Sequence, residues 1–437
     1  MDETQSSTNT STTQQWIADE ARVHPERVFT SLNHLIDIDW MREAWRRTRK
    51  DGAVGVDGVT AEAYEADLGA NLQSLLNRIK SGRYIAPPVR RHYIPKADGS
   101  QRPLGIPTLE DKVAQRAIVM LMEPIYEETF WSSSYGFRPG RSAHDALDAV
   151  CEGTFRDRLC WVIDCDISKY FDTIRFDHLR SFLDLRIKDG VVRRMLDKWL
   201  KAGVLDKGVL TRSETGVPQG GVVSPLLSNI FLHHVLDEWF ETVVTPRMQG
   251  QCRLVRYADD ALLLFETERD ARRVLDVLGK RLGRYGLTLH PAKTRFVDFR
   301  PKRHRSHKDD ATFDFLGFTH IWARSRKGYP IVRRRTAKGR FARAFKSVSD
   351  WCRHNRHRPL GDQHAYLARV IRGHCNYYGI IGNSSCLARF RYEVTRIWRK
   401  WLTRRNSKGR VNWERMRNIL RRFPLPHTRV RQPVAPT

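Results

Sequence analysis

The run Leu254-Val255-Arg256-Tyr257-Ala258-Asp259-Asp260-Ala261-Leu262-Leu263-Leu264 constrains this chain most, because two consecutive carboxylates interrupt an apolar, β-prone stretch. Ionised side chains are not left unpaired in a core. The run is therefore predicted to fold back as a hairpin, with apolar strands on either side and both acids at one rim of a sheet. Taken alone, Asp259-Asp260 reads better as a hydrated turn. Other residues shift that balance.

Cys160 to Ile167 is a second β-prone apolar run, broken only by Asp164 and Asp166. Nucleotide addition is an in-line displacement at phosphorus, and two divalent ions about 3.5–4 Å apart can stabilise both the attacking and the leaving oxygen. Carboxylates converging from separate elements hold such ions, and magnesium keeps several waters, so a few acids suffice. Asp259, Asp260 and Asp166 meet that requirement.

The surroundings supply further parts. Asp166 is followed by Tyr170-Phe171 where the chain turns, a pair that reads equally as core packing with Asp172 capping the next helix. Gly216-Val217-Pro218-Gln219-Gly220-Gly221 opens a helix at Ser224-Pro225, alone an ordinary loop and N-terminus, but beside the acids a floor for a nucleotide. Two extended segments joined by Asp98-Gly99 carry Lys96 and Arg102, which can clamp a triphosphate by point charge and bidentate fork. Either residue alone is as well explained as surface charge. Lys293, in Gly286 to Thr294, is a candidate for protonating the leaving pyrophosphate.

Charge divides the chain. Residues 301–437 hold 34 Lys+Arg against 7 Asp+Glu, whereas residues 1–300 hold 43 against 42. An excess of +27 in a Trp- and Tyr-containing third favours a polyanionic partner over a merely solubilising face. The seven cysteines form no C-x-x-C pair, so neither zinc nor a disulfide framework is expected. No run of 18 apolar residues occurs, which points away from a membrane and to the cytosol. Residues 1–15 are polar and predicted disordered. Pro301 to Lys308 reads as a charged linker, followed by Phe313 to Phe318, a short β-like piece to Val332 and a basic, helix-biased end.

From about Arg27 to about Pro426 the pattern resembles the reverse transcriptase and maturase proteins encoded by bacterial group II introns, in the form lacking an HNH nuclease. The blocks are Gly55-Val56-Asp57-Gly58, Ile94-Pro95-Lys96, Arg102 to Pro107, Tyr135-Gly136-Phe137-Arg138-Pro139-Gly140-Arg141-Ser142, the Asp166 and Gln219 segments, Tyr257 to Asp260, and Phe315-Leu316-Gly317-Phe318. Their order and spacing together are highly specific. The resemblance implies an α+β right-hand polymerase fold, with fingers and palm over 16–318, a basic connector over 319–335 and an α-helical thumb or maturase domain over 336–437. It implies that Asp166, Asp259, Asp260 and the Ile167 carbonyl bind two Mg²⁺, with Mn²⁺ as a substitute. Lys96, Arg102, Phe171, Gln219 and Lys293 would meet the dNTP, Phe171 as the gate against a ribose 2′-OH. Tyr257 and Phe315 to Phe318 would meet primer and template.

Arg333, Arg334, Arg335, Lys338, Arg340, Arg372, Arg399, Lys400, Arg404 and Arg405 would face intron RNA, with target DNA as a further partner and the nucleoid as the place of action on DNA. The Arg372 to Tyr378 block and Trp398 to Leu402 fit that maturase region, aromatics inward and arginines outward. Two departures stand out. The chain reaches Thr437 without the Cys/His cluster of a zinc nuclease, and the Asn-Pro common before the maturase Arg-Gly is Arg369-Val370 here. Two further readings stay open: a splicing cofactor without polymerase activity, and a host-recruited reverse transcriptase serving defence or repair.

Overall fold

The computed structural model describes residues 2–95, 99, 101–206, 208–211, 215–217, 220–301, 311–405 and 410–430. The chain divides into two compact units, Met1–Phe296 and Val297–Thr437. That boundary lies ahead of position 318, so the Phe315 to Phe318 block falls in the second unit.

The first unit opens with helices α1 (Asp2–Val23), α2 (Ile38–Arg47), α3 (Ala61–Glu65) and α4 (Leu68–Lys80). Composition predicts a disordered tail over 1–15, yet α1 already begins at Asp2. Ile17 and Ala21 are buried and the Gln14 amide donates to the Met120 carbonyl at 2.9 Å. Tertiary contacts with the helix carrying Met120 thus order a segment whose own residues have little helix preference.

Strands β1 (Val89–Pro95) and β2 (Gln101–Ile106) pair antiparallel with Ile94 opposite Arg102, as the Asp-Gly signal predicts. Helix α5 (Leu109–Glu127) follows, starting at a Thr108 cap whose hydroxyl accepts from the Asp111 amide. Then come α6 (Ala143–Phe155), β3 (Trp161–Cys165), α7 (Tyr170–Thr173), α8 (Phe176–Asp184), α9 (Gly190–Lys201), β4 (Val204–Asp206) and β5 (Val209–Thr211). Strands β4 and β5 join the first hairpin in a sheet of order β2-β1-β4-β5.

Helix α10 (Ser224–Leu232) continues through π-helical turns at His233–Asp237 and Phe240–Val244. It is followed by β6 (Cys252–Tyr257), β7 (Asp260–Phe265), α11 (Glu268–Gly283) and β8 (Arg295–Asp298). The second sheet runs β6-β7-β3-β8. Ala261 to Phe265 are all buried, because α11 packs on β3 and β7 while other helices cover the opposite face. This explains why the strand reads as a continuous apolar run instead of alternating.

In the second unit β9 (Phe313–Phe315), β10 (Phe318–Arg324) and β11 (Pro330–Thr336) form an antiparallel sheet, ahead of α12 (Lys338–Asn355), α13 (Leu360–Tyr378), α14 (Ser384–Thr403) and α15 (Trp413–Arg422). The 319–335 stretch, predicted as a connector, is therefore a strand hairpin with Phe318 opposite Thr336. Cross-strand pairing carries the β-like piece read as far as Val332 on through the basic run Arg333 to Arg335. The helices close on Phe341, Val348, Ile371, Phe390, Val394 and Trp398, with the Trp398 indole donating to the Gln363 side chain at 2.9 Å.

Candidate active site

Strands β6 and β7 close with Tyr257 opposite Asp260, leaving Ala258 and Asp259 as the two turn residues. Ala258 adopts φ +57, a left-handed conformation that a non-glycine residue holds only when its surroundings enforce it. Strand β3 pairs with β7 so that Cys165 faces Ala261. One residue further, Asp166 stands level with Asp260. Three carboxylates from two sheet connections thereby share one rim, as the sequence predicts.

Asp166 and Asp259 lie within electrostatic reach of each other. Burial pushes the Asp259 carboxyl above the usual carboxylate range, and the charge of Asp166 adds to the shift, against the opposing pull of Arg102 and Arg256. The neighbouring Cys165 thiol is pushed up to about 12, first by burial and then by Asp164, Asp166 and Asp260. A half-buried concentration of negative charge with oxygen donors only is the donor set that hard divalent cations take. An isolated bridge joins Ile167 to Leu289, and its bonds use the Asp166 carbonyl and the Ser168 amide. Ile167's own carbonyl is not spent in them, which suits it to the predicted ligand role.

The sequence reading missed what holds the turn. Arg256, with no solvent exposure, donates to both carboxylate oxygens of the equally buried Asp237 at 2.7 and 2.5 Å. It also donates to the Asn229 side chain and the Ala258 carbonyl, each at 3.0 Å, and to the Ser134 hydroxyl at 2.7 Å. Asn229 in turn donates to the Gly136 carbonyl at 2.7 Å. A Cβ on Gly136 would stand 2.4 Å from the Ala258 nitrogen, so only glycine permits this approach. A cation within an apolar strand was the available signal, since a buried arginine requires a carboxylate partner.

The nucleotide side is also assembled locally. Phe171 is half-buried against the core, its carbonyl accepting from the Val217 amide at 2.8 Å, and Tyr170 donates to the Ser228 carbonyl. The first bond ties the predicted gate to the Gly-rich loop, and the second ties its neighbour to α10. Gly220 takes φ +114 with its backbone against the Gly105 carbonyl of β2, which docks the Arg102 strand on the same loop. Arg102 is exposed, within electrostatic reach of Asp259. Lys293 lies 3.7 Å from Asp166, its ammonium facing Oδ2. Tyr257 is half-buried and tilts toward the exposed Phe137, ring centroids 6.3 Å apart. Lys96 and Gln219 fall outside the described residues.

The remaining candidates belong to the second unit. Phe315 and Phe318 are core residues, while Leu316 and Gly317, at φ +48 and +82, form the half-buried tip of their hairpin. Tyr377 donates to the Leu316 carbonyl at 2.8 Å, and Tyr378 packs on Phe318. Arg335, Lys338, Arg340, Arg372, Lys400, Arg404 and Arg405 are exposed, and Arg333, Arg334 and Arg399 half-buried. No helix among the described residues is long and apolar enough to cross a membrane.

Known proteins resemble this chain over much of its length. Residues 94–320 match the model of the reverse transcriptase (RNA-dependent DNA polymerase) family, and residues 342–420 that of the group II intron maturase-specific domain. Protein YkfC of Escherichia coli K12 is 36% identical over 349 residues, covering 72% of this chain and 87% of that protein. The group II intron-encoded protein LtrA of Lactococcus lactis is 31% identical over 277 residues, covering 61% of this chain and 46% of LtrA. A solved telomerase from Candida albicans aligns at TM-score 0.42 and 15% identity over 78% of this chain and 63% of that one. Reverse transcriptases as a family act on nucleic acid and use divalent metal ions. The chain belongs to the group II intron-encoded reverse transcriptase and maturase family, its α+β fold pairing a polymerase domain with a helical maturase domain.

Proposed function

We propose that this protein copies RNA into DNA at Asp166, Asp259 and Asp260, and that its second unit binds a group II intron RNA to assist splicing and insertion into target DNA. The placement of the three carboxylates at one sheet rim carries the reading: β6 and β7 turn at Asp259 with Asp260 beside it, and the β3–β7 register brings Asp166 level with Asp260. Mg²⁺ ions held by these carboxylates and the Ile167 carbonyl would supply charge stabilisation for the attacking and leaving oxygens. Arg102, with Lys96, holds the triphosphate as a fork and a point charge. Phe171, fixed through Val217, fills the space that a ribose 2′-OH would need. Gln219 lies against the incoming nucleotide and template. Lys293 neutralises charge beside Asp166 and protonates the departing pyrophosphate. The tip at Leu316-Gly317 grips the primer strand.

Primer extension on an RNA template with dNTPs and Mg²⁺ tests the reading. Wild type extends the primer, and Asp259→Ala with Asp260→Ala reduces synthesis by at least about 100-fold, the scale of losing a principal electrostatic stabiliser. A wild-type protein that makes no RNA-templated DNA sinks the proposal.

A further inference from the structure

The helical module buries Phe341, Phe390 and Trp398 and half-buries other large rings, yet leaves two exposed side by side. Tyr392 on α14 is 55% exposed and Trp413, the first residue of α15, is 40% exposed. Their rings lie nearly parallel, 8° apart in plane, with centroids separated by 6.4 Å.

Arginines interleave with the rings. Arg399 lies over the Trp413 ring at 4.4 Å and donates to the Val411 carbonyl at 3.4 Å, so the indole is fixed before any ligand arrives. Arg396, one turn from Tyr392 on the same helix, lies over its ring at 5.9 Å and pairs with Glu393 at 3.1 Å. The Asn412 side chain caps α15 by accepting from the Arg415 amide, and the buried Met416 anchors the helix. Both rings therefore sit on rigid elements.

Parallel rings flanked by guanidinium groups are the arrangement on which unpaired nucleobases stack, with phosphates meeting the cations. A double helix hides its base faces and cannot use such a surface. We infer that Tyr392 and Trp413 form a stacking platform for a single base extruded from structured RNA, with Arg396 and Arg399 beside its phosphates. This inference rests on the reading that the second unit binds RNA, and it adds which feature of RNA the unit selects.

The test uses the full chain and two RNA hairpins of equal length, one fully paired and one carrying a single 2-aminopurine bulge. Wild type is expected to bind the bulged hairpin about 10-fold more tightly, within the range measured for stacking one base, and to quench 2-aminopurine emission. Tyr392→Ala with Trp413→Ala should lose the preference and the quenching, yet bind the paired hairpin with an unchanged salt slope, because stacking carries no charge. Tyr392→Phe with Trp413→Phe should retain both. Equal binding of the two hairpins by wild type, or a preference that survives the double alanine variant, overturns the platform while RNA binding stands. Loss of the paired hairpin as well by the alanine variant overturns it too, as a defect of fold. Wild-type failure to bind either RNA is a different result, which removes the RNA-binding reading itself.

Discussion

Arg256 and Asp237 have no solvent exposure, so each depends on the other for compensation of its charge. Removing one partner of such a pair costs roughly 3–5 kcal/mol because the survivor stays buried and unpaired. Asp237→Asn should therefore lower the melting temperature markedly. Arg256→Lys keeps the charge but not the five-donor fork, so the bonds to Ala258, Asn229 and Ser134 are broken. Its extension rate should fall by about 10-fold or more with a smaller thermal penalty, and unchanged synthesis would show that the acid turn holds itself. Asp259 makes the complementary case. Its carboxyl is raised by burial and by Asp166, so the folded state binds that proton more tightly than the unfolded chain does. Stability then falls as pH rises from the ordinary carboxylate value, about 3.9, through the raised one, and levels off above it. Asp259→Asn should accordingly melt higher than wild type at neutral pH without metal, and no higher in acid. Added Mg²⁺ should raise wild type and leave the variant unmoved. A variant that melts lower at neutral pH would contradict the assigned repulsion.

At the level of elements, backbone approaches that exclude any side chain fix the site. Gly220 sits at φ +114 with the Gly105 carbonyl where a Cβ would be, 2.4 Å away. Gly220→Ala should force the β2 strand off the Gly-rich loop, at a cost on the order of 1–3 kcal/mol for the strained conformation alone. The Michaelis constant for dNTP should rise several-fold through the displaced Arg102, with the global fold kept. Steady-state kinetics beside circular dichroism check this, and an unaltered constant would separate Arg102 from the nucleotide. Several of these elements were readable from the chain. Strands β3, β6 and β7 announce themselves as β-prone apolar runs that end at acids, and β1 and β2 because Asp98-Gly99 demands a turn. Helix α1 and the basic end of β11 do not announce themselves, since their order comes from partners elsewhere in the chain: the Met120 carbonyl for Gln14, the facing strand β10 for Arg333 to Arg335. The acids of the site were legible as chemistry. Their support was not, because Arg256, Asp237, Asn229 and Gly136 meet only in three dimensions.

Charge follows the division of the whole molecule. The change from near balance over 1–300 to +27 over 301–437 falls within a few residues of the boundary after Phe296. The two units should therefore answer salt differently. Affinity for RNA through its phosphates falls linearly in log–log form, with a slope of roughly 0.7–0.9 per phosphate neutralised. Nucleotide addition on a saturating primer and template depends instead on half-buried groups that salt screens less. In the full chain, Lys400→Gln, Arg404→Gln and Arg405→Gln together should reduce the slope of RNA binding by about one for each phosphate that no longer meets a cation, with chain elongation at saturating template retained. Titration of RNA affinity against salt for wild type and this variant decides the matter. An unchanged slope would place the RNA on another face of the molecule. A reduced slope accompanied by failed elongation would mean that the cations at the end of α14 also serve the polymerase reaction.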